Sequence, residues 1–372
     1  MTYFMHVKTF IAVFFLCALI SLEASAQFIY RPEKARPLYS RDTVKICIMG
    51  DMMMHASQIA KAQTPDGGYD FSPYFMHIED RIASADIAIA NLEFTHAGEP
   101  YTGYPAFSAP EQFSRYLAQC GFDVFLCANN HIFDRGSKGA ERTLETYRRL
   151  HDGYGVEYCG IAADEDDMSR RNPLFITAKG IRCALINITY GTNNGADSLW
   201  PDVNYMGEKE DIKAALDSAS EADIAIVLPH WGTEYELTHS PEQEHMAGWL
   251  VGNGADLIVG AHPHVVQDCG TIDNVQVIYS LGNAVSNMSA KDTQLELMAV
   301  IKIARHTDGD VTILPAEFVW LWCSRPGGYC DSYTVLPVEE FISRKDEWKG
   351  MWDYDKMMTT YRRVKAITGI EN

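Results

Sequence analysis

Basic residues are scarce in this sequence: 31 Lys and Arg stand against 50 Asp and Glu, a formal charge of −19. That balance excludes the basic face on which binding to a nucleic-acid backbone depends, so no nucleic acid is expected as a partner. An anionic substrate stays open, because a bound metal ion supplies positive charge locally. Closely spaced cysteine pairs are also lacking. None of the nine cysteines stands in a Cys-x-x-Cys pair, which argues against a cysteine-built zinc site. Long apolar runs are missing except near the N-terminus, where Lys8 precedes Phe10 to Ile20 and the small-x-small pattern Ala24-Ser25-Ala26 follows. The run is short for a membrane span, and bulky Leu16 before Cys17 argues against a lipid anchor. Residues 1–26 therefore read as a signal peptide cleaved after Ala26, with an exported protein, periplasmic or at the cell surface, as the product. An uncleaved N-terminal anchor is the alternative. Export permits disulfides. Cys323 and Cys330, flanking the turn-rich Ser324 to Tyr329, are the expected pair, whereas Cys47, Cys127 and Cys183 lie in apolar strand-like runs and read as core.

What is present is enough apolar sequence, 47% of the chain, for a sizeable core in 372 residues. Residues 27–42 read as a polar linker, 43–340 as the main domain and 341–372 as a C-terminal helical extension. Strands are expected at 44–49, 87–90, 124–128, 174–178, 182–188, 224–228, 257–260, 275–279, 295–304 and 311–318. Helices are expected at 73–83, 111–120, 137–151, 208–220, 241–251 and 352–367. Helix gives way to strand through Ala-Asp at Ala85-Asp86, Ala222-Asp223 and Ala255-Asp256, a recurring αβ unit. Such alternation implies an α/β fold with largely parallel pairing, in which ligands gather beyond the carboxyl ends of the strands.

Those ends carry the chemistry. Separate apolar strands run into Asp51, Glu93, Asn130 and His230, and the strand at Leu257 runs into His262 and His264. Pro263 between the two histidines fixes its own φ and disfavours helix before it. An extended segment is expected there, with both imidazoles on one side. Carboxylates, an amide oxygen and imidazoles in this number exceed what one tetrahedral zinc takes. They suit two divalent metal ions sharing a bridging carboxylate, with Mn, Fe, Zn and Co all compatible.

Taken together and in order, Gly50-Asp51-Met52-Met53, Asn91-Leu92-Glu93, Asn129 to Gly136, His230 to Tyr235, Gly260 to Gln267 and Tyr279 to Asn283 resemble the CapA family of capsule or poly-γ-glutamate synthesis proteins. The resemblance covers about residues 44 to 285. It implies a calcineurin-like metallophosphoesterase αββα sandwich with mixed, mostly parallel sheets flanked by helices. It also implies Asp51, Glu93, Asn130, His230, His262 and His264 as metal ligands, with Glu93 bridging. His131 would protonate the leaving group and Asp134 would orient it, Asp134 alternatively serving only as a helix N-terminal carboxylate. His55, Tyr190, Glu234 and Asn283 are expected on the substrate side.

The sequence departs from the wider superfamily at one ligand. Its usual Asp-x-His motif has Met53 in the histidine position, and His55 is expected to line the pocket rather than replace that ligand. Ala284 stands where an aromatic is usual, and Trp231 and Tyr235 are expected to pack. The function implied is metal-dependent hydrolysis of a phosphoester or a γ-glutamyl amide, acting on an anionic polymer or phosphoester beside a capsule-synthesis machinery. The alternative is a non-catalytic accessory that binds metal and polymer.

Overall fold

The computed structural model describes residues 43–371; the expected signal peptide and linker lie outside the described residues. Period-two alternation of apolar residues dictates the layering, because successive strand side chains face opposite sides. In the strand Thr43–Met52, Val44, Ile46 and Ile48 belong to one core cluster and Cys47 and Met49 to another. In Ile87–Leu92, Ile87 and Ile89 join the first cluster and Ala88 and Ala90 the second. The same happens in Ile181–Thr189, where Leu185 faces inward and Ala184 and Ile186 outward.

Two large sheets result, packed on each other through the inner cluster, with a small pair of Ile161–Ala162 and Asp202–Val203 beside them. The first runs Thr334–Pro337, Glu317–Ser324, Leu295–Arg305, Thr43–Met52, Ile87–Leu92, Val124–Leu126, Glu157–Cys159, with Asn283–Val285 and Val311–Ile313 paired off that path. It is parallel from Thr43–Met52 to Glu157–Cys159 and antiparallel on the other side. The second runs Cys269–Ile272, Val275–Ile278, Leu257–Val259, Ile224–His230, Ile181–Thr189, Leu174–Ala178, parallel in the middle and antiparallel at both edges.

Helices Glu111–Cys120 and Gly136–Tyr154 cover the outer face of the first sheet, burying Phe113, Leu117, Leu144 and Tyr147. Lys209–Ala219 and Pro241–Gly252 cover the second with Ile212, Leu216, Met246 and Leu250. The order is helix, sheet, sheet, helix: the expected αββα sandwich.

Several expectations are corrected. Only Glu79–Ala83 of the segment 73–83 is helical; turns precede it. The single strand expected at 311–318 is two, Val311–Ile313 and Glu317–Ser324, with Pro315, which has no N–H for a ladder, between them. Cys323 and Cys330 are both free thiols. Cys323 lies inside a strand and donates to the carbonyl of Ser286, while Cys330 donates to that of Ser332. The C-terminal helix Met351–Thr368 inserts Met357, Tyr361 and Val364 into the cluster between the sheets.

Candidate metal centre

The site forms where the carboxyl ends of both sheets meet. Asp51 closes the strand Thr43–Met52, whose register shifts just before it. Its N–H donates to the Gly282 carbonyl at 3.0 Å. Gly50 is required there, since a Cβ would fall 2.0 Å from the Gly282 oxygen. One strand over, Asn91 and Glu93 are two residues apart and face the same way. Asn91 Nδ2 donates to Asp51 Oδ1 at 2.6 Å. Asn130 and His131 follow Val124–Leu126. The second sheet contributes His230 at the end of Ile224–His230, and His262 and His264 after Leu257–Val259.

These last two do not sit on an extended segment. His262 has φ 100° and His264 φ 59°, in the left-handed region that non-glycine residues seldom adopt. Pro263 fixes only its own φ, and the turn is held by other contacts. The His262 N–H donates to Asp51 Oδ2 at 3.2 Å, and the Pro263 carbonyl accepts from the Tyr235 N–H at 2.8 Å. The imidazoles converge through this turn, with ring centroids 5.8 Å apart.

The expected ligands all meet. His264 Nδ1 lies 3.2 Å from Asp51 Oδ2 and 3.7 Å from Glu93 Oε2. His230 Nε2 lies 2.9 Å from Asn130 Oδ1 and 3.9 Å from Glu93 Oε1. Asp51, Glu93 and His264 offer ligand atoms within 4.8 Å of one another, and so do Glu93, His230 and His262. Glu93 is common to both groups, the placement a bridging carboxylate needs.

The electrostatics fit a cation. Glu93 is fully buried and neither carboxylate oxygen has a hydrogen-bond partner. Burial lifts its pKa well above the carboxylate range, and Asp51 adds to the rise. Burial opposes protonation of His264 too, but the Glu93 and Asp51 carboxylates override it and hold its pKa up at about 9. Burial drives His262 down to about 3 and His230 well below its usual value, the neighbouring imidazoles adding to both shifts. His262 and His230 are thus neutral, the form in which imidazole ligates metal. Buried polar atoms are normally satisfied. Two orphaned carboxylate oxygens and an unpartnered His262 Nδ1 in one cluster match the donor set of a divalent ion.

Beside these ligands, His131 Nδ1 is bound to Asp134 Oδ2 at 2.8 Å, and its Nε2 faces Glu93 Oε1 at 3.8 Å. Asp134 Oδ2 also accepts from the Phe107 N–H at 2.7 Å, so Asp134 lies against His131 in the turn before the helix. Phe107 packs edge-on against His131 at 4.7 Å and against His55 at 5.2 Å. His55 therefore stands one ring away from His131. Burial lowers its pKa to about 4, and its Nδ1 accepts from the Asn287 N–H.

The four residues expected on the substrate side separate. Tyr190 is half-exposed, its ring 4.6 Å from that of His262. Glu234 is exposed at the mouth. Asn283 is fully buried. Its Oδ1 faces His264 Nδ1 at 3.0 Å and its Nδ2 donates to the Thr293 carbonyl, so it orients His264 and has no free group for a substrate. Trp231 packs as expected, donating to the Tyr279 carbonyl, but Tyr235 is exposed.

Sequence reasoning missed two supports. One is Asn91, whose alternation with Glu93 was a readable signal. The other is Asn187, on the inner strand of the second sheet. Its Oδ1 accepts from Cys127 N at 2.9 Å and Ala128 N at 2.7 Å, and its Nδ2 donates to the Leu228 carbonyl at 2.8 Å. It ties the strand leading to Asn130 and His131 to the strand leading to His230.

Residues 45–288, which hold every side chain of the site named above, match the family model of the bacterial capsule synthesis protein PGA_cap. The chain belongs to that family. The CapA resemblance of its motifs is of the same kind. The capsule biosynthesis protein CapA of Bacillus anthracis is 29% identical over 277 residues, 70% of this chain and 64% of that protein, so the match leaves over a third of the relative's length uncovered. The PGA biosynthesis protein CapA of Bacillus subtilis is 24% identical over 290 residues, 75% of this chain and 73% of its own. Among solved structures, the NAD nucleotidase of Haemophilus influenzae covers 87% of this chain and 68% of its own, at 14% identity and a TM-score of 0.44.

Proposed function

We propose that this member of the capsule synthesis family is an exported, metal-dependent hydrolase of exopolymer assembly, cleaving a phosphoester or a γ-glutamyl amide outside the cytoplasm. The observation that carries the reading is His131. One ring nitrogen is held by a carboxylate and the other is turned toward the unpartnered Glu93 at the centre of the ligand cluster. Asp51, Glu93, Asn130, His230, His262 and His264 would hold two divalent ions, of Mn, Fe, Zn or Co. Bound there, such ions supply Lewis acidity at the scissile centre.

The remaining steps belong to the chain itself. Asp134 fixes the ring of His131 and favours the tautomer protonated at Nδ1. In the doubly protonated ring Nδ1–H stays on Asp134 and Nε2–H gives its proton to the departing oxygen or nitrogen, leaving that neutral tautomer, a contribution of typically 10²–10⁴-fold. Phe107 packs edge-on against that imidazole. Tyr190, its ring tilted against that of His262, lines the open side where an anionic polymer end would enter. The family relatives named for capsule and PGA biosynthesis support a polymer-linked role. The apolar segment before Ala26 supports export.

The test is a substrate panel of phosphomonoesters, phosphodiesters and γ-glutamyl oligomers, run on protein reconstituted with each metal. Turnover of one class, abolished by chelation and restored by metal, is the expected result. A metal-loaded protein that hydrolyses none of them overturns the hydrolase reading and leaves the accessory role.

A further inference from the structure

Two donor groups account for the buried side of the site, and a third lies across its mouth. Glu234, His262 and His264 also bring ligand atoms within 4.8 Å of one another. Glu234 shares His264 with the group of Asp51 and Glu93, and His262 with the group of Glu93 and His230. It belongs to neither of those groups but shares one histidine with each, and it lies on the exposed side.

An exposed carboxylate near imidazoles is ordinary, but this one is not free to drift. The backbone on either side of it is tied to the strand and turn carrying both histidines. Trp231 N–H donates to the Ala261 carbonyl at 3.0 Å, and Tyr235 N–H to the Pro263 carbonyl at 2.8 Å. Tyr235, at φ 68°, is in the left-handed region along with His262 and His264. Strained backbone of this kind persists only where the surroundings over-determine it, and it clusters at functional sites. Within the same patch, buried His262 Nδ1 has no hydrogen-bond partner.

The two groups also differ in donors. Asn130 Oδ1 lies 2.9 Å from His230 Nε2 and adds an oxygen beside Glu93, His230 and His262. Beside Asp51, Glu93 and His264 the amide oxygen is that of Asn283, whose Oδ1 lies 3.0 Å from His264 Nδ1 and whose Nδ2 is bound to the Thr293 carbonyl.

We propose that Glu234 is a metal-ligating carboxylate, joining His262 and His264 from the solvent side of the cluster, opposite Glu93. The inference rests on the metal-binding reading above. It separates ligation from the substrate contact first expected of Glu234, because a substrate contact would leave metal affinity untouched.

The experiment uses the full mature chain, stripped by chelation and titrated with Mn²⁺ or Zn²⁺ by calorimetry, with bound metal counted after gel filtration. Glu234→Gln is compared with wild type, with Glu234→Asp, and with Glu236→Gln as the exposed neighbouring control. Wild type and Glu236→Gln are expected to take up two ions. Glu234→Gln is expected to keep the tighter ion and bind the weaker at least tenfold less tightly, with a changed visible spectrum when Co²⁺ is the probe. Glu234→Asp, one methylene shorter, is expected to fall between. Thermal melts of the stripped proteins should coincide, since the side chain is exposed. A Glu234→Gln protein with wild-type stoichiometry, affinity and spectrum overturns the role of Glu234 alone. A wild type that takes up no ion overturns the metal-binding reading itself.

Discussion

Asn187→Leu tests whether the two halves of the site are aligned by one buried amide. Leucine has nearly the shape of asparagine and leaves no room for a replacing water. Ala128 N–H, bound at 2.7 Å, has no other acceptor among the contacts described, and orphaning it costs about 1–3 kcal/mol. Cys127 N–H keeps its second acceptor, the Cys159 carbonyl at 3.0 Å. That lost bond and the one to the Leu228 carbonyl are therefore worth about 0.5–1.5 kcal/mol each. With the greater apolar burial of leucine offsetting about 1 kcal/mol, the net loss is about 1–5 kcal/mol, a large share of the 5–15 kcal/mol typical of a folded chain. For residues 43–371 the unfolding entropy is about 0.7 kcal/mol per degree, so Tm should fall by about 1.5–7 °C in the metal-free protein. Calorimetric or circular-dichroism melting measures it. The same variant should weaken metal uptake, because Asn130 and His230 lose their common anchor. A Tm within about 1 °C of wild type would refute the claim that Asn187 holds the strand ends together.

His131→Ala should abolish most turnover at near wild-type metal content, whereas His262→Ala should lower metal content; a His131→Ala protein that loses metal, or stays fully active, removes the acid role. Metal affinity should depend on pH through His264, held at about 9 by Glu93 and Asp51 against the opposing effect of burial. A metal ion must displace that proton, so affinity should rise by up to tenfold per unit of pH below about 9 and level off above it. Calorimetry in buffers of different ionisation enthalpy should record proton release, and a flat profile from pH 6 to 9 contradicts the assignment. Because Cys323 and Cys330 are free thiols bound to separate carbonyls, dithiothreitol should leave Tm unchanged; a fall of several degrees would mean that a disulfide had been present.

Strand positions were readable because a strand buried on both faces is a near-continuous apolar run. Val124–Leu126 and Leu257–Val259 are pinned by such runs despite their shortness. Strand ends were readable because polar residues break those runs abruptly, and Asp51, Glu93, Asn130, His230 and the His262/His264 pair all mark breaks. What was not readable depended on residues distant in sequence. The left-handed turn at His262 and His264 is fixed partly by bonds to Asp51 and Tyr235, which local preference around Pro263 cannot express. Asn283 reads as a loop residue until the strand at Thr43–Met52 is found beside it, aligned Asp51 to Asn283. Asn187 lies between Ile186 and Ile188 in the apolar part of its strand, and its partners at Cys127, Ala128 and Leu228 become visible only when the sheets are packed.

The division of donors between the sheets says how such a site can exist in a folded chain at all. Asp51, Asn91, Glu93 and Asn130 come from the first sheet; His230, His262 and His264 come from the second. Asp51 and Glu93 raised together in an apolar setting would repel each other, and Asp51 does push the Glu93 pKa upward. The histidines by themselves would be neutral side chains at the edge of a sheet. Only when the inner faces close do carboxylates meet imidazoles, and His264 responds by gaining proton affinity between Glu93 and Asp51. The closure that brings them together is made by apolar residues such as Ile46, Ile89, Leu185 and Ile226, none of which touches the chemistry. The orphaned oxygens of Glu93 are thus carried by the surrounding core, a local cost that buried polar groups seldom bear without a ligand to satisfy them.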